Sequence, residues 1–264
     1  MRKKIEFYSL IERCRTLGLA TACNTNASYI STDDCHSLLT GGPNHLVISL
    51  DGHNEEIHDY IRGVGGAFKR AKATLNELVK MKNTLSSCDV EILTNTVLFD
   101  RNIPHVADYV TFAEQLGVDG IIFQLLSMTF HNQTTSDPFY NKHYFQNRSI
   151  AMQSLQALSE MIACHPIIRT SRNDFLWMIQ QLDHPTETLE GVCASHERNI
   201  MVDSRGHVRL CFNMDSIWPH EGLGNLRQTS LRSLIFSDIA SGARSAMAAC
   251  RRPCGMLNCH RRAL

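Results

Sequence analysis

Apolar positions in the first half of the chain fall into two alternating spacings. Phe7, Leu10, Ile11, Cys14 and Leu17 recur at the interval of an amphipathic helix that Gly18 stops, and Leu19-Ala20-Thr21-Ala22-Cys23 then reads as a short strand. Leu46 to Leu50 is a continuous apolar run between Gly41-Gly42-Pro43 and Asp51-Gly52, the pattern of a strand buried on both faces. Beyond Gly65-Gly66, the residues Phe68, Ala71, Leu75, Leu78 and Val79 mark a second helix, and Val90 to Leu98 forms the next strand. Val106, Tyr109, Val110, Ala113 and Leu116 predict a third helix closed by Gly117, with Ile121 to Leu125 as the strand that follows. This alternation predicts an α/β fold whose βα units build a parallel sheet or part of a barrel, with ligands gathered at the C-terminal ends of the strands. Residues 127–145 read as a polar linker and Met152 to Ile162 as a helix, with no internal repeat or low-complexity tract.

The pattern changes after residue 190. Ile200-Met201-Val202 and Val208-Arg209-Leu210 flank Asp203-Ser204-Arg205-Gly206, which predicts a β-hairpin. Cys193 and Cys211 bracket it, and a hairpin that brings its strand ends together can present both thiols to one metal without closing a long loop. Cys250, Cys254 and Cys259 follow beside Pro253 and Gly255, which favour a tight non-helical loop whose amides can donate to sulfur. Thiolates at this density suit zinc or an iron–sulfur cluster, and chemistry alone does not separate the two.

Composition sharpens this in two ways. Lys+Arg and Asp+Glu both number 26, so global charge argues for neither nucleic acid nor an anionic membrane surface as partner. Ten cysteines in a 264-residue chain with no secretory h-region and no apolar run long enough to span a bilayer point to a cytoplasmic protein with reduced thiols. Arg244, Arg251, Arg252, Arg261 and Arg262 make the tail basic, which reads as a solvated charge run. Cys14, Cys23, Cys35, Cys88 and Cys164 match no ligand spacing and read as small apolar side chains or bystanders.

Two stretches carry a resemblance. Cys193, twelve residues, Gly206, four residues and Cys211 resemble the opening signature of the SPASM and twitch auxiliary-cluster domains found behind radical S-adenosylmethionine (radical SAM) cores. Leu223-Gly224-Asn225-Leu226 is similar to the Gly-Asn-Leu segment of those domains. A complete SPASM domain has more cysteines and two clusters, so the resemblance implies one auxiliary [4Fe–4S] cluster. Its expected ligands are Cys193, Cys211, Cys250 and Cys254, with Cys259 as the fifth candidate. Val47-Ile48-Ser49-Leu50-Asp51-Gly52, Glu56-Ile57-His58-Asp59 and Ile61-Arg62-Gly63 resemble the radical SAM core across residues 46–68. This implies binding of S-adenosylmethionine, with Ser49 and Asp51 on its amino and ribose groups and Arg62 clamping its carboxylate. Without the resemblance, Asp51 reads as a turn residue and Arg62 as a surface charge. Thr25-Asn26-Ala27 looks like the family's Thr-Asn-Gly strand end with Ala in place of Gly, and Asn95 and Gln124 are further candidates on later strands.

The resemblance implies a partial (βα) barrel of the radical SAM type lacking its first strands (residues 1–130), a linker with helices (131–190) and a small cysteine-rich auxiliary-cluster domain (191–264). Neither the CxxxCxxC loop of the family's catalytic cluster nor its Gly-Gly-Glu-Pro element occurs in the sequence. The expectation is a chain that starts mid-barrel, cut from a longer parent, and that cannot by itself generate the 5′-deoxyadenosyl radical. In that parent, the family implies hydrogen abstraction from a peptide, protein or small-molecule substrate, with electrons from a donor such as flavodoxin or ferredoxin. The alternative is a non-catalytic cysteine-rich scaffold holding zinc or one iron–sulfur cluster.

Overall fold

The computed structural model describes residues 4–126, 138–184, 194–214, 217–218, 220 and 222–250. Its described residues form two compact units, one made of the chain up to Leu126 with Phe145–Ile179, the other of the segment before Phe145 and the chain from Gln180 onward. Among the described residues no helix is long and apolar enough to cross a membrane.

The first unit runs α1 (Lys4–Thr16), β1 (Ala22–Thr25), α2 (Thr32–Gly41), β2 (His45–Ser49), α3 (Glu55–Arg62), α4 (Ala67–Lys82), β3 (Glu91–Leu98), a 3₁₀ turn (Ile103–His105), α5 (Val106–Leu116) and β4 (Gly120–Leu125), then α7 (Arg148–Met161) and the start of α8 (Arg172–Asp183). The four strands are parallel in the order β1-β2-β3-β4, as the alternation predicts. Register sorts their side chains onto two faces, because partners in a ladder point the same way and neighbours along a strand point opposite ways. Ile48, Ile92, Thr94, Leu98, Ile121 and Phe123 share one face and have no exposure, sealed by helices through contacts such as Tyr109 against Phe123. The face carrying Ser49, Asn95, Val97, Ile122 and Gln124 is only half-buried. β2 is buried on both faces at Leu46, Val47 and Ile48, as expected, and Ser49 at its C-terminal end is half-exposed.

Three local differences from the sequence reading have clear causes. The strand expected at Leu19–Cys23 begins at Ala22: the Leu19 N–H caps α1 through Cys14 O, and the Thr21 N–H bonds Asn44 Oδ1. Helix α2 was not expected, yet Ser31 and Asp34 form a reciprocal capping box at its start, and Cys35, Leu38 and Leu39 supply its buried stripe. Within the stretch read as a polar linker, Pro138–His143 is a helix, α6, with Tyr140 and His143 buried, while residues 127–137 lie outside the described residues. The apolar contribution is substantial: burying a single leucine such as Leu75 or Leu78 of α4 is worth about 1.5–3 kcal/mol.

The second unit contains α6, the end of α8, α9 (Ser195–Arg198), β5 (Met201–Val202), β6 (His207–Arg209), β7 (Gly224–Asn225), α10 (Leu231–Ile235) and α11 (Asp238–Ala248). The expected hairpin is present as antiparallel β5 and β6, and the Gly-Asn pair adds β7 as a third strand. Val208, Leu210, Cys211, Met214, Leu223, Leu234, Ala240, Ala243 and Met247 make its core. Gly206 is required twice over. Its φ is +91°, and a Cβ there would come within 2.9 Å of Asn225 Oδ1.

Candidate functional site

Ser49 and Asn95 are ladder partners, so they stand side by side at the C-terminal end of the open face. Gln124 lies on that same face one side-chain step higher, opposite Val97. Among the described residues the Ser49 hydroxyl and the Gln124 amide have no hydrogen-bond partner, and Asn95 Oδ1 is both buried and unpartnered. Asn95 Oδ1, buried beside apolar Val47 and Leu93, is costly to leave unpaired, while the half-exposed Ser49 and Gln124 stand open to a ligand.

Immediately beyond β2 the chain is tied down at nearly every polar atom. The Leu50 carbonyl accepts from Thr96 Oγ1 at 2.8 Å, and the Asp51 carbonyl accepts from Asn102 Nδ2 at 2.8 Å. The Asp51 N–H donates to His58 Nδ1 at 3.0 Å. Gly52 permits the turn, because a Cβ would sit 2.6 Å from the Ile57 side chain. Asn54 caps α3 by accepting the Ile57 N–H, and Gly63 ends the helix in the left-handed region. The helix is thereby held at a fixed start, which sets where Arg62 lies.

Asp51 is 2% exposed and both carboxylate oxygens are engaged: Oδ1 accepts the Val97 N–H at 3.0 Å and Oδ2 pairs with Arg62 Nη2 at 2.7 Å. Burial pushes the Asp51 carboxyl up, against the opposing pull of the Arg62 charge and the Val97 N–H. Its oxygens are thus directed inward, at Val97 and at the Arg62 guanidinium, whose side chain is 32% exposed. His58 is buried, and burial followed by the Arg62 charge brings its pKa down to about 4. It is neutral at physiological pH, with Nδ1 accepting from Asp51 and the proton on Nε2. The roles of His58 and Asn102 were missed in the sequence. His58 stood inside the recognised stretch, but nothing in the sequence links Asn102 to Asp51, 51 residues earlier.

Thr25 and Asn26 separate in the structure. Thr25 pairs with Ile48, on the face opposite Ser49, and its Oγ1 accepts the Ala27 N–H at 3.1 Å. Asn26 is exposed, with Oδ1 accepting the Ser28 N–H at 3.1 Å. Ala27 adopts φ +58°, alone among described non-glycine residues, so the loop keeps a glycine-like backbone with a methyl group aboard. On the helix-covered side, a small cavity of about 10 Å³ is lined by Gly52, His53, Thr96, Tyr109 and Phe123. It opens on the other face from the Ser49–Asn95 row.

In the second unit, Cys193, Cys254 and Cys259 lie outside the described residues. Cys211 is buried and its sulfur accepts the Asn213 N–H at 3.2 Å, the kind of bond that stabilises a thiolate. Ser195, two residues after Cys193, donates its buried hydroxyl to Leu210 O at 2.7 Å, one residue before Cys211. Helix α9 packs on α11, and the Cys250 N–H bonds Met247 O at the end of α11, while Met247 shares the core with Cys211. The chain segments adjoining three of the five candidate thiols therefore meet around one core. No group of three metal ligands is assembled among the described residues. Of the remaining cysteines, Cys35 is buried, with its thiol pushed up to about 11 by burial, and Cys164 is exposed.

No family model matches the chain. Among curated proteins, the AdoMet-dependent heme synthase of Oleidesulfovibrio alaskensis is 29% identical over 114 residues, 43% of this chain and 28% of that protein. The AdoMet-dependent heme synthase of Methanosarcina barkeri is 31% identical over 100 residues, 38% of this chain and 27% of that protein. The chain thus spans little more than a quarter of the length of these relatives. Among solved structures, anSMEcpe with bound AdoMet and the Cp18Cys peptide superposes with a TM-score of 0.62 at 17% identity, covering 90% of this chain and 64% of that one. Streptococcus suis SuiB superposes with a TM-score of 0.65 at 14% identity, covering 90% and 54%. At these identities the structural likeness is one of fold.

Proposed function

We propose that this chain belongs to the radical SAM superfamily, that its first unit holds S-adenosylmethionine and that its second holds an auxiliary iron–sulfur centre; the fold and the partial likeness to AdoMet-dependent heme synthases support this reading. The observation that carries the reading is the unpartnered polar row of Ser49, Asn95 and Gln124 on the open face, next to a guanidinium aimed by a buried carboxylate. These groups fit the cofactor's donors and acceptors. Asn95 Oδ1, an orphaned buried acceptor, suits its amino group, Ser49 and Arg62 suit its carboxylate, and Gln124 and Asn26 remain for the nucleoside. Asp51 acts in this reading as a positioning residue: with both oxygens used internally, it sets the direction of Arg62. When bound beside a reducing cluster, S-adenosylmethionine supplies the power to remove a hydrogen atom from a substrate.

The auxiliary centre draws its thiolates from Cys193, Cys211 and the Cys250–Cys259 stretch. Its support is the hydrogen bond joining Ser195 to Leu210, the packing of α9 on α11 and the amide donated to Cys211 sulfur. The substrate of the whole enzyme is a peptide, a protein or a small metabolite. Its electrons come from a flavodoxin- or ferredoxin-type donor. Among similar proteins are a heme synthase by name and a structure with a bound peptide.

Calorimetric titration of the anaerobically purified chain with S-adenosylhomocysteine tests the first unit. Saturable binding is expected, weakened about tenfold or more by Ser49→Ala or Arg62→Ala, since a hydrogen bond to a charged group is worth about 1.5–3 kcal/mol. Binding that neither substitution changes would refute the site. Metal analysis after reconstitution tests the second unit: iron with sulfide and a visible absorption bleached by dithionite supports it, and stoichiometric zinc refutes it.

A further inference from the structure

We propose that Asp59 is a positioning residue for the ligand carboxylate: by clamping α3 to the start of α4, it holds Arg62 where the guanidinium meets that carboxylate. The inference rests on the reading of the first unit as an S-adenosylmethionine site. Asp59 is half-buried on α3, and both of its oxygens bond outside that helix. Oδ2 accepts the Gly66 N–H at 2.5 Å and Oδ1 accepts the Phe68 N–H at 2.7 Å. Gly66 is the N-cap of α4 and brings no capping side chain, so Asp59 supplies from another helix the acceptor that the start of α4 lacks. The dipole of α4 favours a negative charge at that place.

The clamp spans the softest joint near the site. Gly63-Val64-Gly65-Gly66 connects the two helices, with Gly63 and Gly66 both in the left-handed region. Three glycines in four residues leave the angle between the helices free unless something outside the joint fixes it. α3 has eight residues, too few to hold its own last turn, and Arg62 is its last residue. Asp59 stands one turn earlier, so fixing it fixes the turn that carries the guanidinium. Its engagement has a second consequence. An idle carboxylate at i,i+3 would compete for Arg62, whereas with both oxygens on backbone amides the guanidinium is left to Asp51 at 2.7 Å. α4 is a firm base for the clamp. Leu75 and Leu78 are wholly buried, the Phe68 ring lies 6.3 Å from that of His58, and Thr74 Oγ1 donates to Ala27 O at 3.4 Å.

Two ligands separate positioning from stability. S-adenosylhomocysteine carries the carboxylate that Arg62 meets, and 5′-methylthioadenosine carries the nucleoside without it. Asp59→Asn keeps the size of the side chain but loses its charge and one of its two acceptor oxygens. In calorimetric titration of the full chain it should weaken S-adenosylhomocysteine about fivefold or more and leave 5′-methylthioadenosine unchanged. In an Arg62→Ala background the same substitution should have no further effect. Hydrogen–deuterium exchange of the unsubstituted chain needs no variant. S-adenosylhomocysteine, and not 5′-methylthioadenosine, should slow exchange at the Gly66 and Phe68 amides, because coupling between two sites is reciprocal. Equal weakening of both ligands, unchanged affinity for S-adenosylhomocysteine, or amide exchange indifferent to it would each overturn the positioning role and leave the ligand site standing. An unsubstituted chain that binds neither ligand would overturn the site and the positioning role together.

Discussion

The two candidate sites are built on opposite principles. Around β2 and α3, most of the chemistry lies within the fourteen residues from Ser49 to Arg62, and strand register, one helix cap and one buried ion pair place it. In the second unit the candidate ligands are spread from Cys193 to Cys259, and a hairpin, a third strand and the packing of α9 on α11 gather the adjoining chain. The loop after β2 is fastened by hydrogen bonds with Thr96, Asn102 and His58, whereas in the second unit the described thiol of Cys211 is buried in the core and accepts the Asn213 amide. A locally built site should therefore respond to substitution mainly through stability and pH. A convergent one should respond through its metal.

The largest effect is expected at the thiols. Cys211→Ser should remove most of the bound iron, and exposed Cys164→Ser should leave it unchanged, as measured by iron and sulfide analysis. Equal retention in both would break the contrast between the two regions.

Arg62→Ala comes next, because it leaves the Asp51 carboxylate buried without its counter-charge. Breaking such a pair costs about 3–5 kcal/mol, and the part-exposed guanidinium places this one at the lower end. The sign of its pH dependence is fixed. The folded carboxyl already has a raised pKa, and the substitution raises it further, so the variant should recover stability as pH falls through that pKa. Urea unfolding at two pH values reads both the loss and its recovery.

His58 predicts an opposite trend in the unsubstituted chain. Its folded pKa of about 4 lies below the ordinary value of 6.5, so the unfolded chain takes up a proton that the folded one refuses. The contribution is complete above pH 6.5 and is lost as pH falls toward 4, by up to roughly 3 kcal/mol. His58→Asn keeps an acceptor for the Asp51 N–H and should flatten the dependence of the melting temperature over that window. The smallest effect belongs to Ala27→Gly. Relief of the left-handed backbone should outweigh the added chain entropy by less than about 1 kcal/mol, seen as a slight rise in melting temperature.

Much of the first unit was legible because its signals are local. Periodicity located β2, α4, β3, α5 and β4, and Gly117 ends α5 in the left-handed conformation expected of it. Helix α2 escaped because its cap uses Asp34 where Glu or Gln is the familiar partner, and its stripe is short. The start of β1 was misplaced because apolar Leu19 looks like a strand residue while its N–H closes α1. Within the site, Ser49, Asn95 and Gln124 could be nominated from strand ends. The inward use of Asp51 could not, since it depends on Val97 and on Asn102, far along the chain.

By itself the sequence determined the α/β alternation, the hairpin and the kinds of side chain available at each strand end. These follow from spacing, backbone sterics and side-chain chemistry, which act over a few residues. Only the tertiary structure decided that Ser49 at the end of β2 stays half-exposed, that Asp51 serves Arg62, that His58 is held neutral, and that Ser195 meets the residue before Cys211. Each of those depends on burial and on partners brought from distant positions, and dielectric and hydrogen-bond geometry exist only once the chain has packed.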